Sequence, residues 1–321
     1  MATAEQIKMI IQSHFDKNDE RFNTVVLQLA AYEAKQGHTA LAREIKVLLD
    51  KSKERNRKVI PFNKDLGDMI ISTLSEKRLS EMVVTHDLKS RIERIIIEYR
   101  QQDKLKKHGM NNRRKILLAG PSGTGKTMTA FVLAGELHLP LCTIMMDKLM
   151  TKFMGETSAK LRQIFDTIAE NQAVYLFDEF DAIGTERSMD NDVGEMRRIL
   201  NSFLQFLEMD RSNSLIVAAT NNMKMLDQAL FRRFDDVLNY ELPGIPEIQK
   251  LILNRLGSFT KKGIKLEKIS EQCSLLSHAE ITRACDDAIK EAILNDKNLI
   301  DVDMLSLMIA ERDSAYHRGD K

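Results

Sequence analysis

The 321-residue sequence is poor in chain-breaking residues. Only 14 glycines and 5 prolines are present, which points to many helices and few extended loops. Cysteine is scarce too. Cys142, Cys273 and Cys285 are odd in number and widely spaced, which argues against a disulfide framework and suits free thiols in a reducing compartment. Charge of one sign is also missing. Lys and Arg number 48 against 47 Asp and Glu, so a net charge of +1 gives no bulk electrostatic sign of a nucleic-acid or membrane partner. No apolar run reaches the roughly 18 residues of a membrane span, and the first residues lack the basic, apolar and small order of a signal peptide. A soluble, cytoplasmic protein is the expectation.

What is present divides the chain. Residues 1–50 carry apolar positions at helical spacing, Phe22, Val25, Val26, Leu29 and Ala30, then Leu41, Ile45, Leu48 and Leu49. With an earlier helix around Ile7, Ile10 and Ile11, they read as a small helical bundle. Residues 51–79 read as a linker that opens on the basic run KSKERNRK. That run and the cluster from Lys104 to Lys115 read as solvated surface, since no aromatics interleave for base stacking. From 80 to 242 helical patterns alternate with the short runs KILLA (115–119), LCTIMM (141–146), AVYLF (173–177), SLIVAA (214–219) and DVLNY (236–240). Such runs, apolar on both faces and separated by helices, predict an α/β fold with a parallel sheet covered on two sides. Residues 243–321 read as a second, all-helical domain.

The first run leads directly into GPSGTGKT: Gly120, Pro121, Ser122, Gly123, Thr124, Gly125, Lys126 and Thr127, with Met128 next. Glycines let backbone N–H groups converge on phosphate oxygens, and a helix N-terminus behind them adds partial positive charge. Lys126 is expected to neutralise the β- and γ-phosphates of ATP, and the Thr127 hydroxyl to ligate Mg²⁺. A glycine-rich turn that binds nothing is the bland alternative. The position between a predicted strand and a predicted helix speaks against it.

The run VYLF (174–177) turns abruptly acidic at Asp178, Glu179 and Asp181. Ligands of open parallel sheets sit outside the carboxyl ends of the strands. Asp178 is therefore placed to hold the magnesium, and Glu179 to polarise the attacking water. Asp181 reads as structural, a helix cap. Asn221, at the end of SLIVAATNN, either orients that water or senses the γ-phosphate, or merely starts a turn. Arg232 and Arg233 follow within twelve residues, where a subunit edge would present them to a neighbour's γ-phosphate.

With these motifs the chain resembles the AAA family of ATPases over roughly residues 80–321. GPSGTGKT is similar to its Walker A segment, VYLFDEFDAIG to Walker B, SLIVAATNN to sensor 1 and LDQALFRRFD to the paired arginine fingers. The resemblance implies a P-loop NTPase with a five-stranded parallel sheet in the order 5-1-4-3-2, a helical lid, and a ring of self-copies, usually six, with ATP between subunits. LMTKFMGETSAKLRQIFD (149–166) is similar to the family's first pore loop, with Phe153, Met154 and Gly155 at its gripping triplet, and residues 187–195 would form the second. At the start of a lid helix, where the family often has Ser-Gly-Ala, this chain has Ser277, His278 and Ala279. His278 there alters base or ribose contacts or caps the helix, and Arg283 is a speculative stand-in for a sensor-2 arginine. The adenine pocket is expected to include Met82–Val84.

The implied function is ATP hydrolysis coupled to threading or remodelling a protein, recruited through residues 1–50 and gripped by the Phe153 loop. The rivals are an ATP-dependent switch that gates a separate protease or nuclease, and a nucleic-acid motor, which the near-neutral charge disfavours. No His-Glu-x-x-His motif is present, so any proteolysis would need a partner chain.

Overall fold

The structure is a computed structural model that describes residues 8–9, 11–13, 19–55, 64–149, 154–183, 192–222, 231–260, 263–264 and 266–317. The chain forms two compact units, residues 1–58 and 59–321. In the first, helices α1 (Asp19–Lys35) and α2 (Thr39–Arg55) are joined by a turn at Gln36–His38. Val25 and Ala30 are buried on α1, and the buried Glu33 carboxylate is 2.7 Å from His38 Nδ1. Part of the helix expected around Ile7–Ile11 lies outside the described residues; 8–9 and 11–13 are helical.

The second unit is built on a six-stranded sheet. In chain order its main elements are β1 (Ile70–Thr73), α3 (His86–Arg100), β2 (Lys115–Ala119), α4 (Lys126–Leu137), β3 (Leu141–Ile144), α5 (Met154–Glu170), β4 (Val174–Phe177), α6 (Asp192–Met209), β5 (Leu215–Thr220) and β6 (Asp236–Asn239). The strand order is β1-β3-β4-β5-β2-β6, with β1 antiparallel to β3 and every other pair parallel. This corrects the expectation of five strands, all parallel: the parallel members β6-β2-β5-β4-β3 keep the expected order 5-1-4-3-2, but they are not the whole sheet. The sheet is mixed and gains a sixth member at one edge. That strand offers little apolar signal because it is an edge: Ile70 is buried, Ile71 is 46% exposed, and Ser72 and Thr73 follow.

The two faces of the sheet follow from the alternation of side chains along each strand. Ile116 and Leu118, Val174 and Leu176, and Leu215, Val217 and Ala219 point to one face, where α3 contributes Leu88, Ile92, Ile95 and Ile96 and α4 contributes Val132 and Leu133. Leu117, Tyr175, Phe177, Ile216 and Ala218 point to the other, against Leu161, Ile164 and Phe165 of α5 and Ile199 and Phe203 of α6. Phe177 meets Phe203 edge-on at 5.0 Å between ring centres. Such a pair adds about 0.5–1.5 kcal/mol beyond its buried area. A sheet dry on both faces is what continuous apolar runs require.

Three helices complete the unit: α7 (Ile245–Leu256), α8 (His278–Leu294) and α9 (Val302–His317), with a short turn of helix at Glu267–Gln272. They share a core of Ile248, Ile252, Leu256, Ile281, Ala284, Ala288, Leu305 and Ile309. Pro246 sits in the first turn of α7, where a missing N–H costs nothing. Helix α8 starts on a capping box. The Glu280 N–H donates to Ser277 Oγ at 3.4 Å, and the Ser277 N–H donates to the Glu280 carboxylate at 2.7 Å.

Candidate active site

Register brings the motif residues together. Ala119 at the end of β2 lies opposite Thr220 at the end of β5, and Phe177 of β4 lies opposite Ala218. Gly120, Asp178 and Asn221 therefore leave neighbouring strands at the same, carboxyl edge of the sheet. The Gly120 N–H still donates to the Thr220 carbonyl at 3.2 Å, so the loop begins as the last rung of the ladder.

Two glycines of the loop are required by their neighbours. Gly120 sits at φ 151, and a Cβ there would fall 2.2 Å from the Tyr240 carbonyl oxygen; Gly123 sits at φ 74, and its Cβ would fall 2.5 Å from Ser277 Oγ. The loop is thus pressed between the β6 end and the first turn of α8. Below it, the Thr129 and Tyr240 hydroxyls share a buried hydrogen bond of 2.5 Å. Burial pushes the Tyr240 phenol far above its usual range, which keeps it neutral.

The chemical groups are paired with one another. Lys126 is buried, and its Nζ donates to the Gly120 and Pro121 carbonyls, each at 2.7 Å. Burial holds its pKa below the ordinary lysine value, while the charges of Asp178 and Asp181 pull in the other direction. Thr127 Oγ1 donates to Asp178 Oδ2 at 2.8 Å. Glu179 is exposed and stands in the left-handed backbone region, at φ 53, with its N–H donating to Asp178 Oδ1 at 3.0 Å. A non-glycine residue in that region is uncommon and carries a backbone cost of order 1–3 kcal/mol.

These residues open onto a cleft of about 820 Å³, bounded by Met82–Val84, Ser122–Met128, Asp178, Glu179 and Asn221 on one side and by Leu251, Asn254, Arg255, His278 and Ala279 on the other. The Ala279 N–H donates to the Gly123 carbonyl at 3.0 Å, which docks the helical domain on the loop. The donor set fits a nucleotide with its metal. A buried lysine held only by carbonyls is free to turn to phosphate, and a hydroxyl beside a carboxylate supplies the oxygen ligands that a hard cation prefers.

Of the expected site residues, Ser122–Met128, Asp178, Glu179 and Asn221 line this cleft together, and Gly120 and Pro121 hold its lysine. Met82–Val84 and Arg283 line it too. Asp181, read as a cap, accepts from the Asn221 N–H at 3.2 Å and so ties the ends of β4 and β5. Arg232 and Arg233 are not brought to the cleft of their own chain. Arg232 is exposed and makes no ion pair or hydrogen bond among the described residues, whereas Arg233 is paired with Glu208. Phe153 lies outside the described residues, as do residues 187–191 of the second expected pore loop; Met154 and Gly155 begin α5. The sequence reading missed Leu251, Asn254 and Arg255. Their i, i+3, i+4 spacing on α7 was the available signal, but Leu251 alone reads as ordinary core.

A strand–glycine loop–helix with an acidic strand end beside it defines a P-loop nucleotide-binding fold. Residues 116–242 match the family described as "ATPase family associated with various cellular activities (AAA)". An uncharacterized AAA family ATPase, y4kL, of Sinorhizobium fredii is 30% identical over 309 residues, 94% of this chain and 92% of its own length. The chain belongs to the AAA family and is an ATPase. It is also similar to the ATP-dependent zinc metalloprotease FtsH of Mycoplasmopsis synoviae, 28% identical over 71% of this chain, and to that of Parabacteroides distasonis, 30% identical over 67%. It spans only 36% and 33% of those two proteins.

Proposed function

We propose that this ATPase works as a ring of its own copies, most simply six, and couples Mg²⁺-dependent ATP hydrolysis to remodelling or threading a protein. The observation that carries the nucleotide part is the meeting of Lys126, the Thr127–Asp178 pair and Asn221 at one edge of the sheet, beside a cleft closed by Ala279. Gly120–Met128 cradle the phosphates, with Lys126 leaving the Gly120 and Pro121 carbonyls for phosphate oxygens. Thr127 and Asp178 hold the metal, which when bound neutralises the charge on the phosphate oxygens. Glu179 takes the proton of the attacking water, and Asn221, aligned by Asp181, reads the γ-phosphate.

Arg232 and Arg233 act on a neighbour's nucleotide in this reading. Their absence from their own cleft supports that, and Arg232 is the freer of the two. The protein substrate enters through the Phe153 loop, with residues 1–50 as the recruiting unit, and the setting is cytoplasmic. Among the described residues no helix is long and apolar enough to cross a membrane. The metalloprotease relatives favour a second reading in which the ring serves a protease. These 321 residues carry no His-Glu-x-x-His motif, so in that reading the hydrolytic centre lies outside them.

The test is Glu179→Gln. ATP binding is expected to stay within about twofold while phosphate release falls by roughly 10²–10⁴. Turnover at the parental rate would remove Glu179 from its role.

A further inference from the structure

Helix α4 breaks two local rules in its last turn. Gly135 stands inside the helix, where alanine would be the better former, and Glu136 puts a carboxylate at the end where the helix dipole favours a cation. One neighbour explains both: the segment 75–84, which runs from β1 towards α3. A Cβ on Gly135 would run into the Lys77 carbonyl, so the glycine lets this segment lie directly on the helix. The Arg78 guanidinium donates to the Gly135 carbonyl at 3.1 Å.

The Glu136 carboxylate then closes the clamp. It accepts from the Leu79 N–H at 3.2 Å and from the guanidinium of Arg100, the last residue of α3, at 2.9 Å, with Arg78 at 3.8 Å. The segment makes a single turn at Leu79–Glu81, fastened where the Arg78 N–H donates to the Glu81 carboxylate at 2.8 Å. Leu79 and Met82 are buried in one apolar cluster with Ala130, Leu133 and Ala134 of α4. Immediately afterwards Met82–Val84 form part of the cleft wall.

One helix therefore serves both ends of the cleft. Its first residues, Lys126 and Thr127, belong to the phosphate end, and Glu136, about 15 Å further along at 1.5 Å per residue, holds the segment that walls the other. The structure assigns Glu136 a positioning role in nucleotide retention. It touches no part of the cleft itself, but by clamping residues 77–84 to α4 it sets how firmly the Met82–Val84 wall closes on the nucleoside part of a bound nucleotide. The inference rests on the nucleotide reading above and adds to it a residue outside the cleft. Contacts to the nucleoside are the same in bound substrate and transition state, whereas the charge that develops during hydrolysis lies at the phosphates. Loosening the clamp should thus act on KM and on ADP affinity, and spare kcat.

The full chain and its Glu136→Ala, Glu136→Gln and Arg78→Ala variants are compared by steady-state ATP hydrolysis and by calorimetric titration with ADP. Glu136→Ala removes the acceptor for both Leu79 and Arg100, and is expected to raise KM and the ADP Kd about tenfold while kcat stays no lower than about half the parental value. Glu136→Gln keeps an acceptor in place and should bring both constants back to within about threefold of the parent. A rise of less than about threefold in Glu136→Ala overturns the role, and so does a loss of kcat that Glu136→Gln fails to restore. Should Glu136→Ala not fold, Arg78→Ala decides, since it loosens the same clamp from its exposed side: KM raised about threefold with kcat kept supports the role, and an unchanged KM overturns it. A parental chain that neither binds ADP nor hydrolyses ATP would instead remove the nucleotide reading from beneath it.

Discussion

The two ends of the cleft are finished to different degrees. At the phosphate end the cationic and metal-binding groups are already engaged, Lys126 with two carbonyls and Thr127 with Asp178, while Glu179 stands exposed beside them. At the other end, the buried His278 ring makes no hydrogen bond of good geometry among the described residues. The first end is built for a ligand so constant in chemistry that its contacts can rest on one another until it arrives. The second is closed by a histidine whose ring is buried in the wall. The lesson is that polar side chains are held in pairs where the motif residues converge, while the opposite wall is finished by burial.

The largest effect that sharpens this contrast falls outside the cleft. If the phosphate end lacks only a charge supplied from a neighbour, Arg232→Ala should lower turnover by about 10³-fold with ATP affinity little changed, and mixing in a chain that keeps Arg232 but carries Glu179→Gln should restore part of it. Equal turnover in the variant would mean that the phosphate end is complete within one chain. A smaller effect is expected where the ends meet. Gly123→Ala places a Cβ against Ser277 on a left-handed backbone, and should cost about 1–3 kcal/mol of stability in a denaturant melt while weakening nucleotide binding through displacement of α8. An unchanged midpoint would show that the helical domain does not press on the loop. The smallest is Tyr240→Phe, which removes the hydroxyl shared with Thr129 beneath the loop. About 1 kcal/mol is expected, since Thr129 keeps the Gly125 carbonyl as acceptor at 3.2 Å.

Much of the sheet was legible because its strands are dry on both faces, and a run such as KILLA or VYLF has no other cheap place to go. The phosphate end was legible for a related reason. Glycine at 120 and 123, a lysine and a strand that turns acidic are local in the chain, so their spacing carries the geometry. The edge strand Ile70–Thr73 was not, because an edge buries one face and needs only Ile70 to do it. The far end of the cleft was legible only in part. His278 and Met82–Val84 were expected there from the family resemblance, whereas Leu251 and Asn254 come from a separate helix, and nothing in the order of residues says that it folds back over the loop. Asp181 was read as structural, but its contact was hidden on similar grounds. Its partner lies forty positions away, on another strand.

One main-chain bond, from the Ala279 amide to the Gly123 carbonyl, joins the C-terminal quarter of the chain to the glycine loop. Any tilt of that loop would be passed to the start of a seventeen-residue rod, α8, whose far end lies some 25 Å away at 1.5 Å per residue. A small rotation at the contact would be magnified at the tip, with a lever arm set by the length of a helix whose first residues already touch the loop.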